Sequence, residues 1–467
     1  ELRFSGGRRS KSIIPAPDLD YRDVTPGGEK LTRPPLVVGS GPAGLFAALV
    51  LARQGYRPIV LERGKAVAER YRDVERFWST GELAGESNLH FGEGGAGTFS
   101  DGKLTTLIHD PRCRKVLEEF VAAGAPADIL FLAKPHLGSD RLPAIVKNIR
   151  QEIIALGGEV RFNSLVNGLQ IKDNQITGIK IAGQDVLIGG AVILAMGNSA
   201  RDTFAMLFAA GVTMQAKPFS IGVRVEHSQR WLDETQFGPD AGHPRLGAAD
   251  YKLVFHAPGG RSAYSFCMCP GGLVAAAATE ADGLVTNGMS LYARDNANAN
   301  SALLVGVTAG DFGSDHPLAG IEFQRTWERK AFELGGGNHY APVQSVGDFL
   351  ADRSSTVLGD IQPTYRPGFH LADLSDCLPD HVIETLRQAL PFWDERLPGF
   401  ARNDAVLTGV ETRSSSPVRI VRDDAFESNI HGLYPSGEGA GYAGGIMSSA
   451  VDGIRSAEAL IRRYACP

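Results

Sequence analysis

A glycine-rich turn between an apolar strand and a helical segment constrains this fold more than any other feature of the sequence. Gly39, Gly41 and Gly44 follow the apolar residues Leu36–Val38, and apolar residues recur at helical spacing across 45–52. In such a turn the first glycine permits the bend, the second lets backbone approach a pyrophosphate, and the third lets the helix pack closely on the strand. The spacing therefore predicts a dinucleotide-binding βαβ unit.

An acidic residue completes this motif. Glu62 ends the next apolar segment, 58–61, and lies 18 positions after Gly44, close to the offset of about 20 at which such folds place a ribose-binding acid. We expect Glu62 to accept hydrogen bonds from ribose hydroxyls. Pro42, Ala43 and Arg63 belong to the same predicted binding surface. The alternative is a glycine-rich turn in an unrelated α/β protein.

Composition limits the class of protein. The 467 residues are enough for two or three domains, and the net charge of -6 argues against nucleic acid as a partner. Five scattered cysteines do not make a disulfide framework, which favours a reducing, cytoplasmic location. No apolar stretch approaches the length of about 18 to 20 residues that spans a bilayer. The oligomeric state has no signature in the sequence.

A second glycine-rich segment lies near the end of the chain. Gly439, Gly441 and Gly444 repeat the spacing of the first motif, but no strand ending in an acid follows them, so a second dinucleotide site is rejected. The following helix instead directs its free amides and positive dipole end at a ligand held by the first motif. Reduced flavin is anionic at its pyrimidine end, which favours FAD over NAD. The predicted contacts are Glu438, Gly444, Gly445 and Ile446.

A third glycine cluster spans residues 91–104. Its glycines allow backbone to pass against a flat ring, and its hydroxyl and ammonium groups are donors for ring heteroatoms or phosphates. A flexible surface loop is the alternative. The predicted cofactor contacts here are Gly94, Gly95, Ala96, Thr98, Ser100 and Lys103, with Gly197 after the apolar segment 191–195.

The pattern of strands and helices predicts an α/β fold in which the nucleotide domain is split along the chain. Residues 1–33 are expected to be an irregular leader or the remnant of an N-terminal domain. Residues 34–216 form the first part of a Rossmann-type FAD-binding domain, with a parallel sheet and a small β-meander. An inserted mixed α/β substrate domain follows at 217–402, and residues 403–467 return to the FAD-binding domain.

Six segments resemble a known family. They read VVGSGPAGLFAALVLARQGYRPIVLERG, FGEGGAGTFSDGKLTT, LAMGNSARDTF, SFCMCPGG, ETRSSSPVRI and GLYPSGEGAGYAGGIMSSAVDGI. Together they are similar to the uncharacterised NAD(P)/FAD-dependent dehydrogenases, and through them to the glutathione-reductase-like flavoproteins. The resemblance implies FAD held by a split Rossmann domain. Members of the family often carry an extra N-terminal domain, which we expect this chain to lack or to have lost. Met196 and Asn198 depart from the family, in which threonine and histidine are common at these positions.

Three residues are catalytic candidates. Arg413 has the geometry to bind a substrate carboxylate bidentately, or it pairs structurally with Glu411 or Glu438. His90 is a titratable group beside a glycine-rich turn, and Lys103 lies in the loop expected to cover the ring. Further polar residues, more often structural in such positions, are His136, Arg224, Glu226, Asn296, Asn298 and Asn300.

Cys267 and Cys269 are separated by one residue. This spacing differs from the CxxC of thiol oxidoreductases and from a four-ligand metal set. We interpret the two side chains as small buried hydrophobes on one face of a strand, with a redox pair as the alternative. No metal site is predicted.

These features favour an FAD-dependent dehydrogenase or reductase that moves a hydride through flavin N5 to or from a small organic substrate, with NAD(P)H as a transient electron donor. A flavin-dependent monooxygenase is one alternative. A non-catalytic protein that holds FAD or another nucleotide is the other.

Overall fold

A computed structural model describes residues 20–466. Most of the predicted leader therefore lies outside the described residues. The helices, in chain order, are α1 (Pro42–Arg53), α2 (Val67–Thr80), α3 (Arg112–Ala122), α4 (Gly138–Ala155), α5 (Arg201–Ala209), α6 (Gln229–Phe237), α7 (Ala319–Leu334), α8 (Val346–Leu350), α9 (Asp380–Asp394) and α10 (Ile446–Arg463).

The strands form several sheets. In chain order they are β1 (Glu29–Lys30), β2 (Leu36–Val38), β3 (Ile59–Leu61), β4 (Glu159–Arg161), β5 (Val166–Lys172), β6 (Gln175–Ile181), β7 (Val186–Ile188), β8 (Val192–Leu194), β9 (Met214–Ala216), β10 (Phe219–Ser228), β11 (Val254–His256), β12 (Ser262–Cys269), β13 (Gly272–Ala276), β14 (Thr286–Ser290), β15 (Asn298–Val307), β16 (Ala341–Ser345), β17 (Phe369–Leu371), β18 (Val406–Glu411), β19 (Val418–Ile420), β20 (Leu433–Pro435) and β21 (Tyr464–Ala465).

A five-stranded parallel sheet forms the nucleotide-binding half. Its order is β20-β8-β2-β3-β4, so strands from three distant parts of the chain lie side by side. Helix α1 is apolar on nearly every side and is buried over residues 43–52, as expected of a helix enclosed between a sheet and other helices. Helix α10 packs against it so closely that a Cβ on Gly453 would lie 2.0 Å from the Ala43 carbonyl oxygen. The predicted Rossmann-type sheet is confirmed.

Among the described residues, two further sheets have more than two strands, and the pairs β1-β21, β13-β14 and β19-β9 form two-stranded sheets. Strands β5, β6 and β7 form the predicted antiparallel meander. A seven-stranded mixed sheet has the order β11-β12-β15-β10-β18-β16-β17, and only β16 and β17 pair in parallel. Strand β18 pairs with β10 and β16, so this sheet includes residues that follow position 402. The predicted mixed α/β architecture is confirmed.

The two halves meet along α2. Trp78 packs in the same apolar cluster as strands of the seven-stranded sheet, and its indole nitrogen donates to the Ala276 carbonyl 3.1 Å away. In residues 20–466, no helix combines the length and the apolar character needed to cross a membrane.

Candidate functional site

A cavity lies between the carboxyl ends of the parallel strands and the seven-stranded sheet. Its wall combines the turn at 38–43, the loop at 95–103, residues 195–200, and the start of α10 with residues 285–287 and 411–414. In open α/β sheets, ligands bind outside the carboxyl ends of the strands, where the strand order reverses. The cavity occupies this position.

The three glycines of the first motif meet different demands. Gly39 has φ +100°, and a Cβ there would lie 2.3 Å from the Ala195 carbonyl oxygen. A Cβ on Gly44 would lie 1.9 Å from the Gly39 carbonyl oxygen, so this glycine serves helix packing and does not line the cavity. A Cβ on Gly41 would meet only the Gly95 Cα, at 3.8 Å. Gly41 therefore leaves open the space that a pyrophosphate would need.

Two helices begin at this cavity. Helix α1 starts after Gly41 and α10 after Gly445, and neither start has a side-chain cap or an acidic residue in its first turn. Free backbone amides and the positive ends of two helix dipoles therefore face one space. This arrangement suits an anionic ligand with two separated negative groups.

Glu62 accepts more hydrogen bonds from the protein itself than the sequence predicted. One carboxylate oxygen accepts from the Ser40 amide at 2.9 Å and the Ser40 hydroxyl at 2.7 Å, and the other accepts from the Gly64 and Gly92 amides, each at 2.9 Å. A carboxylate has about four acceptor positions, and all are used. Glu62 lines the cavity and fixes three loops, but a ribose contact requires the Ser40 hydroxyl to turn away.

The loop at 92–103 is held from behind by Arg70, a residue that the sequence did not single out. Arg70 is fully buried and donates to the loop carbonyls of Glu93 at 2.6 Å and Gly95 at 2.9 Å, and to the Leu89 carbonyl just before the loop at 2.8 Å. Buried charge is tolerated when its donors are satisfied in this way. The loop is thus rigidly supported, which argues against the flexible-loop alternative.

Four predicted cofactor contacts do not line the cavity. Gly44 packs on the turn as described, and the Gly94 amide donates to the Ser40 carbonyl at 2.9 Å. The Thr98 hydroxyl donates to the Glu93 carbonyl at 3.2 Å, and the Gly444 amide donates to the Ser448 hydroxyl at 3.0 Å. The predicted contacts that do line it are Gly39, Gly41, Pro42, Ala43, Glu62, Arg63, Gly95, Ala96, Ser100, Lys103, Gly197, Glu438, Gly445 and Ile446.

Glu438 lies beside the start of α10. It accepts from the Asn198 side-chain amide at 2.8 Å and, more weakly, from the Gly445 backbone amide at 3.4 Å. Burial raises the pKa of Glu438 to about 7, because these hydrogen bonds and the charge of Lys217 offset only part of the desolvation. The carboxyl group therefore titrates near neutral pH.

This pKa has a consequence for stability. A carboxyl group whose pKa is raised on folding stabilises the folded state below its unfolded pKa, and that stabilisation is lost as the pH rises through the folded pKa. In FAD-free protein, the free energy of unfolding of wild type should fall relative to that of Glu438→Gln as the pH rises from about 4.5 to about 7. The fall should be at most about 3 kcal/mol. Thermal melts of both proteins across this range measure the difference. Parallel curves would show that Glu438 does not titrate there.

Arg413 reaches the cavity wall but pairs with neither Glu411 nor Glu438. Its guanidinium binds Glu328, at 3.1 and 2.8 Å, and donates to the Thr279 hydroxyl at 2.7 Å. Glu328 also binds Arg201, at 2.7 and 2.9 Å. Burial alone would raise the pKa of Glu328, but the two arginines hold it well below its usual range. The sequence identified Arg413 and missed its partner.

His90 also lies at the cavity wall. Its Nδ1 is 3.1 Å from the Ser199 hydroxyl, whereas Nε2 is buried and has no hydrogen-bond partner among the described residues. Burial lowers the pKa of His90 to about 3, and nearby Arg413 and Arg70 add to this effect. The ring is therefore neutral, with one nitrogen unused by the protein. An unpartnered buried nitrogen at this wall fits a bound group that completes it.

Lys103 is held by the second half of the molecule. Its ammonium donates to the Met268 carbonyl and lies 3.3 Å from an Asp101 oxygen and 3.9 Å from the Cys269 sulfur. Burial would lower the pKa of Lys103, but Cys269, Cys267 and Asp101 together raise it. Lys103 therefore carries its charge into the cavity wall.

The remaining polar candidates have structural partners. His136 Nε2 lies 3.0 Å from the Tyr292 carbonyl oxygen. Arg224 pairs with Glu411 at 2.5 Å, and Glu226 accepts from the Thr364 hydroxyl at 2.6 Å. The three asparagines are also engaged: Asn296 donates to Gly271, Asn298 to Glu226, and Asn300 accepts from Arg224. In residues 20–466, no cluster of side chains has the composition of a metal site.

Comparison with known proteins agrees with this geometry. Residues 33–73 match the family model described as an FAD binding domain, and residues 218–414 match the model described as FAD-dependent protein, C-terminal domain-like. An uncharacterized protein of Clostridium beijerinckii is 53% identical over 450 residues, which cover 96% of this chain and 84% of the relative.

Solved structures are similar at low identity. L-amino acid deaminase from Proteus vulgaris is 13% identical, with a TM-score of 0.40 over 95% of this chain and 97% of the deaminase. CtdE in complex with FAD is 14% identical, with a TM-score of 0.32 over 90% of this chain and 81% of CtdE. The flavin-dependent brominase Bmp2 is 11% identical, with a TM-score of 0.38 over 91% and 78% of the two chains.

The cavity and the matched families define a flavoprotein with FAD as its cofactor. The glycine turn, the two free helix starts and the unpartnered His90 nitrogen fit that group. The chain belongs to the same family as the Clostridium beijerinckii protein.

Proposed function

We propose that the protein is an FAD-dependent dehydrogenase or reductase that acts on a small organic substrate, with NAD(P)H as a transient electron donor. One observation carries the proposal: a single cavity extends from the dinucleotide turn at Gly41 to buried charged groups of the other half, Glu411 and Arg413. Bound FAD supplies hydride chemistry at its N5 atom. The protein supplies binding, orientation and charge.

The chain's own groups divide these tasks. Gly41 and the start of α1 would receive the pyrophosphate, and the start of α10 would stabilise negative charge on the ring system. His90 is neutral and would hold or move a proton at Nε2. Arg413, already held by two hydrogen bonds to Glu328 and one to Thr279, would contribute positive charge and position a substrate through its two remaining N–H groups.

We also propose a split domain of the glutathione-reductase type. The first part covers 34–216, and the inserted domain begins at 217. Because β18 belongs to the seven-stranded sheet, we place the end of the insertion near residue 414 and the returning part after it. Expression of the returning part alone should give no folded protein, since α10 packs on α1.

The first experiment is spectroscopic. Purified protein should be yellow with a flavin spectrum and should release FAD, identified by chromatography, when it is denatured. Release is expected because FAD would be held in the cavity by non-covalent contacts alone. A colourless preparation that cannot be reconstituted with FAD would contradict the cofactor assignment.

The second experiment tests the type of reaction. Under anaerobic conditions, NADH or NADPH should bleach the long-wavelength flavin band of the FAD-loaded protein, and an added electron acceptor should restore it. A monooxygenase would instead couple rapid oxygen consumption to incorporation of labelled oxygen into a product. Photoreduction without turnover by any donor would favour a protein that only binds FAD.

A further inference from the structure

The cysteine pair of β12 lies at the wall of the FAD cavity. Cys267 lines it together with Phe266 and Asn287, while Cys269 is buried. The strand is irregular at this point, because Cys267 has φ +42° and the pairing with β15 shifts register between Phe266 and Cys269. A non-glycine residue in the left-handed region is uncommon and strained. The pair therefore does not follow the regular strand that the sequence suggested.

The irregular backbone brings Cys269 back against Cys267. The Cys269 thiol donates to the Cys267 carbonyl oxygen 3.2 Å away. Alternate residues of a regular strand share a face without such contact. The bulge thus turns two packing residues into an interacting pair.

Charged groups surround the pair on several elements. Lys103 lies 3.9 Å from the Cys269 sulfur, and an Arg224 nitrogen lies 3.3 Å from the Cys267 carbonyl oxygen. Arg294 binds Asp101 at 2.6 Å.

Three cations lie around the pair: Lys103, Arg224 and Arg294. Asp101 and Glu411 pair with them, and Glu226 interacts with Arg224. Positive charge beside a thiol favours its thiolate form.

The balance of these effects favours Cys267 as the thiolate. The neighbouring Cys269 thiol holds the pKa of Cys267 well below its usual range, and Lys103 and Arg224 lower it further against the effect of burial. The neighbouring Cys267 sulfur, together with burial, raises the pKa of Cys269. The two sulfurs therefore differ in character, one a nucleophile and one a proton donor.

We propose that Cys267 and Cys269 are a redox-active dithiol of the FAD cavity, with Cys267 as the nucleophilic thiolate and Cys269 as the resolving thiol. Forming their disulfide makes one S–S bond and, from the thiolate and thiol, releases one proton and two electrons. FAD, a two-electron acceptor, is the oxidant. The inference rests on the proposed function only in placing redox chemistry in the same cavity.

An electron count tests this proposal without a natural substrate. FAD-loaded protein, oxidised with ferricyanide and desalted, is titrated anaerobically with dithionite. Wild type should take up about four electrons per flavin, two for FAD and two for the disulfide, whereas Cys267→Ser and Cys269→Ser should take up about two. Cys466→Ser, which removes an exposed thiol, is the matched control and should behave like wild type. A wild-type uptake of about two electrons would overturn the proposal.

Thiol counting provides a second readout that does not depend on flavin. Acid-quenched samples are unfolded, alkylated with N-ethylmaleimide and analysed by mass spectrometry. Both cysteines should be labelled in reduced wild type, and neither should be labelled after oxidation. Dithionite reduces FAD whether or not NAD(P)H does, so failure of the hydride proposal would leave both readouts intact. Free thiols at 267 and 269 after oxidation would refute the pair.

The roles of the two sulfurs are tested with oxidised glutathione. Cys269→Ser should trap glutathione on Cys267 as a mixed disulfide, while Cys267→Ser should trap none. In the Cys269→Ser background, Lys103→Met should shift the pH profile of trapping upward, because a neighbouring cation is removed while Arg224, Arg294, Asp101 and Glu411 remain. Trapping on Cys269 in place of Cys267 would reverse the assignment and contradict the proposal.

Discussion

Gly41→Leu should abolish FAD retention while the protein still folds. Gly41 has φ -71° and ψ -177°, which any residue adopts, and an added Cβ would meet no protein atom closer than 3.8 Å. The side chain would therefore fill the cavity without disturbing the backbone. Since the pyrophosphate needs this space, we expect affinity for FAD to fall by at least about a thousandfold, equivalent to about 4 kcal/mol.

The measurement compares flavin content after purification and the dissociation constant after reconstitution. Gly259→Leu is a matched control, because Gly259 lies in an exposed turn, far along the chain, with no atom within 4 Å of its added Cβ. It should retain FAD like wild type. Circular dichroism and the urea midpoint of the FAD-free proteins verify that both variants fold. Normal FAD affinity in Gly41→Leu would show that the pyrophosphate lies elsewhere.

Features that depend on local sequence were predictable. The roles of Gly39, Gly41 and Gly44 follow from their spacing, because a βαβ turn imposes the same steric demands wherever it occurs. The start of α10 was likewise readable from glycines before an amphipathic segment. From these local rules the cofactor, the parallel sheet and most of the residues of the cavity wall could be predicted.

Long-range features were not predictable from one sequence. Glu328 lies 127 residues from Arg201 and 85 from Arg413 along the chain, and no local sequence feature at any of the three indicates that they pair. The bulge at Cys267 depends on register against β15, which is set by the whole sheet. Similarly, Glu62 has the expected position, but its four donors come from turns whose approach the motif does not specify.

Register also supports our proposal that the insertion ends near residue 414 instead of at the predicted 402. Strand β18 reads as part of the segment that returns to the nucleotide half, yet its hydrogen bonds go to β10 and β16. A buried strand is apolar on both faces in either sheet, so its pattern does not reveal its partners. The chain thus crosses between the halves after Glu411, next to Arg413. The cavity and the ion cluster of Glu328 both lie at this crossing.

Glu328→Gln should destabilise the protein far more than a comparable change on the same helix. Glu328 is 1% exposed and is the shared partner of Arg201 and Arg413, which are 2% and 4% exposed. Removing its charge leaves the buried Arg413 guanidinium without its anion and Arg201 with only Glu280, a loss of about 3–5 kcal/mol. Glu322→Gln breaks an ion pair with Arg325 on the same helix, but Glu322 is 69% exposed, so we expect a cost of about 0–1 kcal/mol.

The same ion cluster predicts which of its substitutions lowers stability more. Arg201 and Arg413 share the buried Glu328, Arg201 and Arg325 share Glu280, and Arg325 also pairs with the exposed Glu322. Arg413→Met leaves Glu328 paired with Arg201, so it should lower the urea midpoint less than Glu328→Gln does. Urea unfolding of the FAD-loaded variants, followed by tryptophan fluorescence, measures this order. If Arg413→Met were the more damaging change, the guanidinium would be the group that the fold requires, and Glu328 would serve mainly to position it beside FAD.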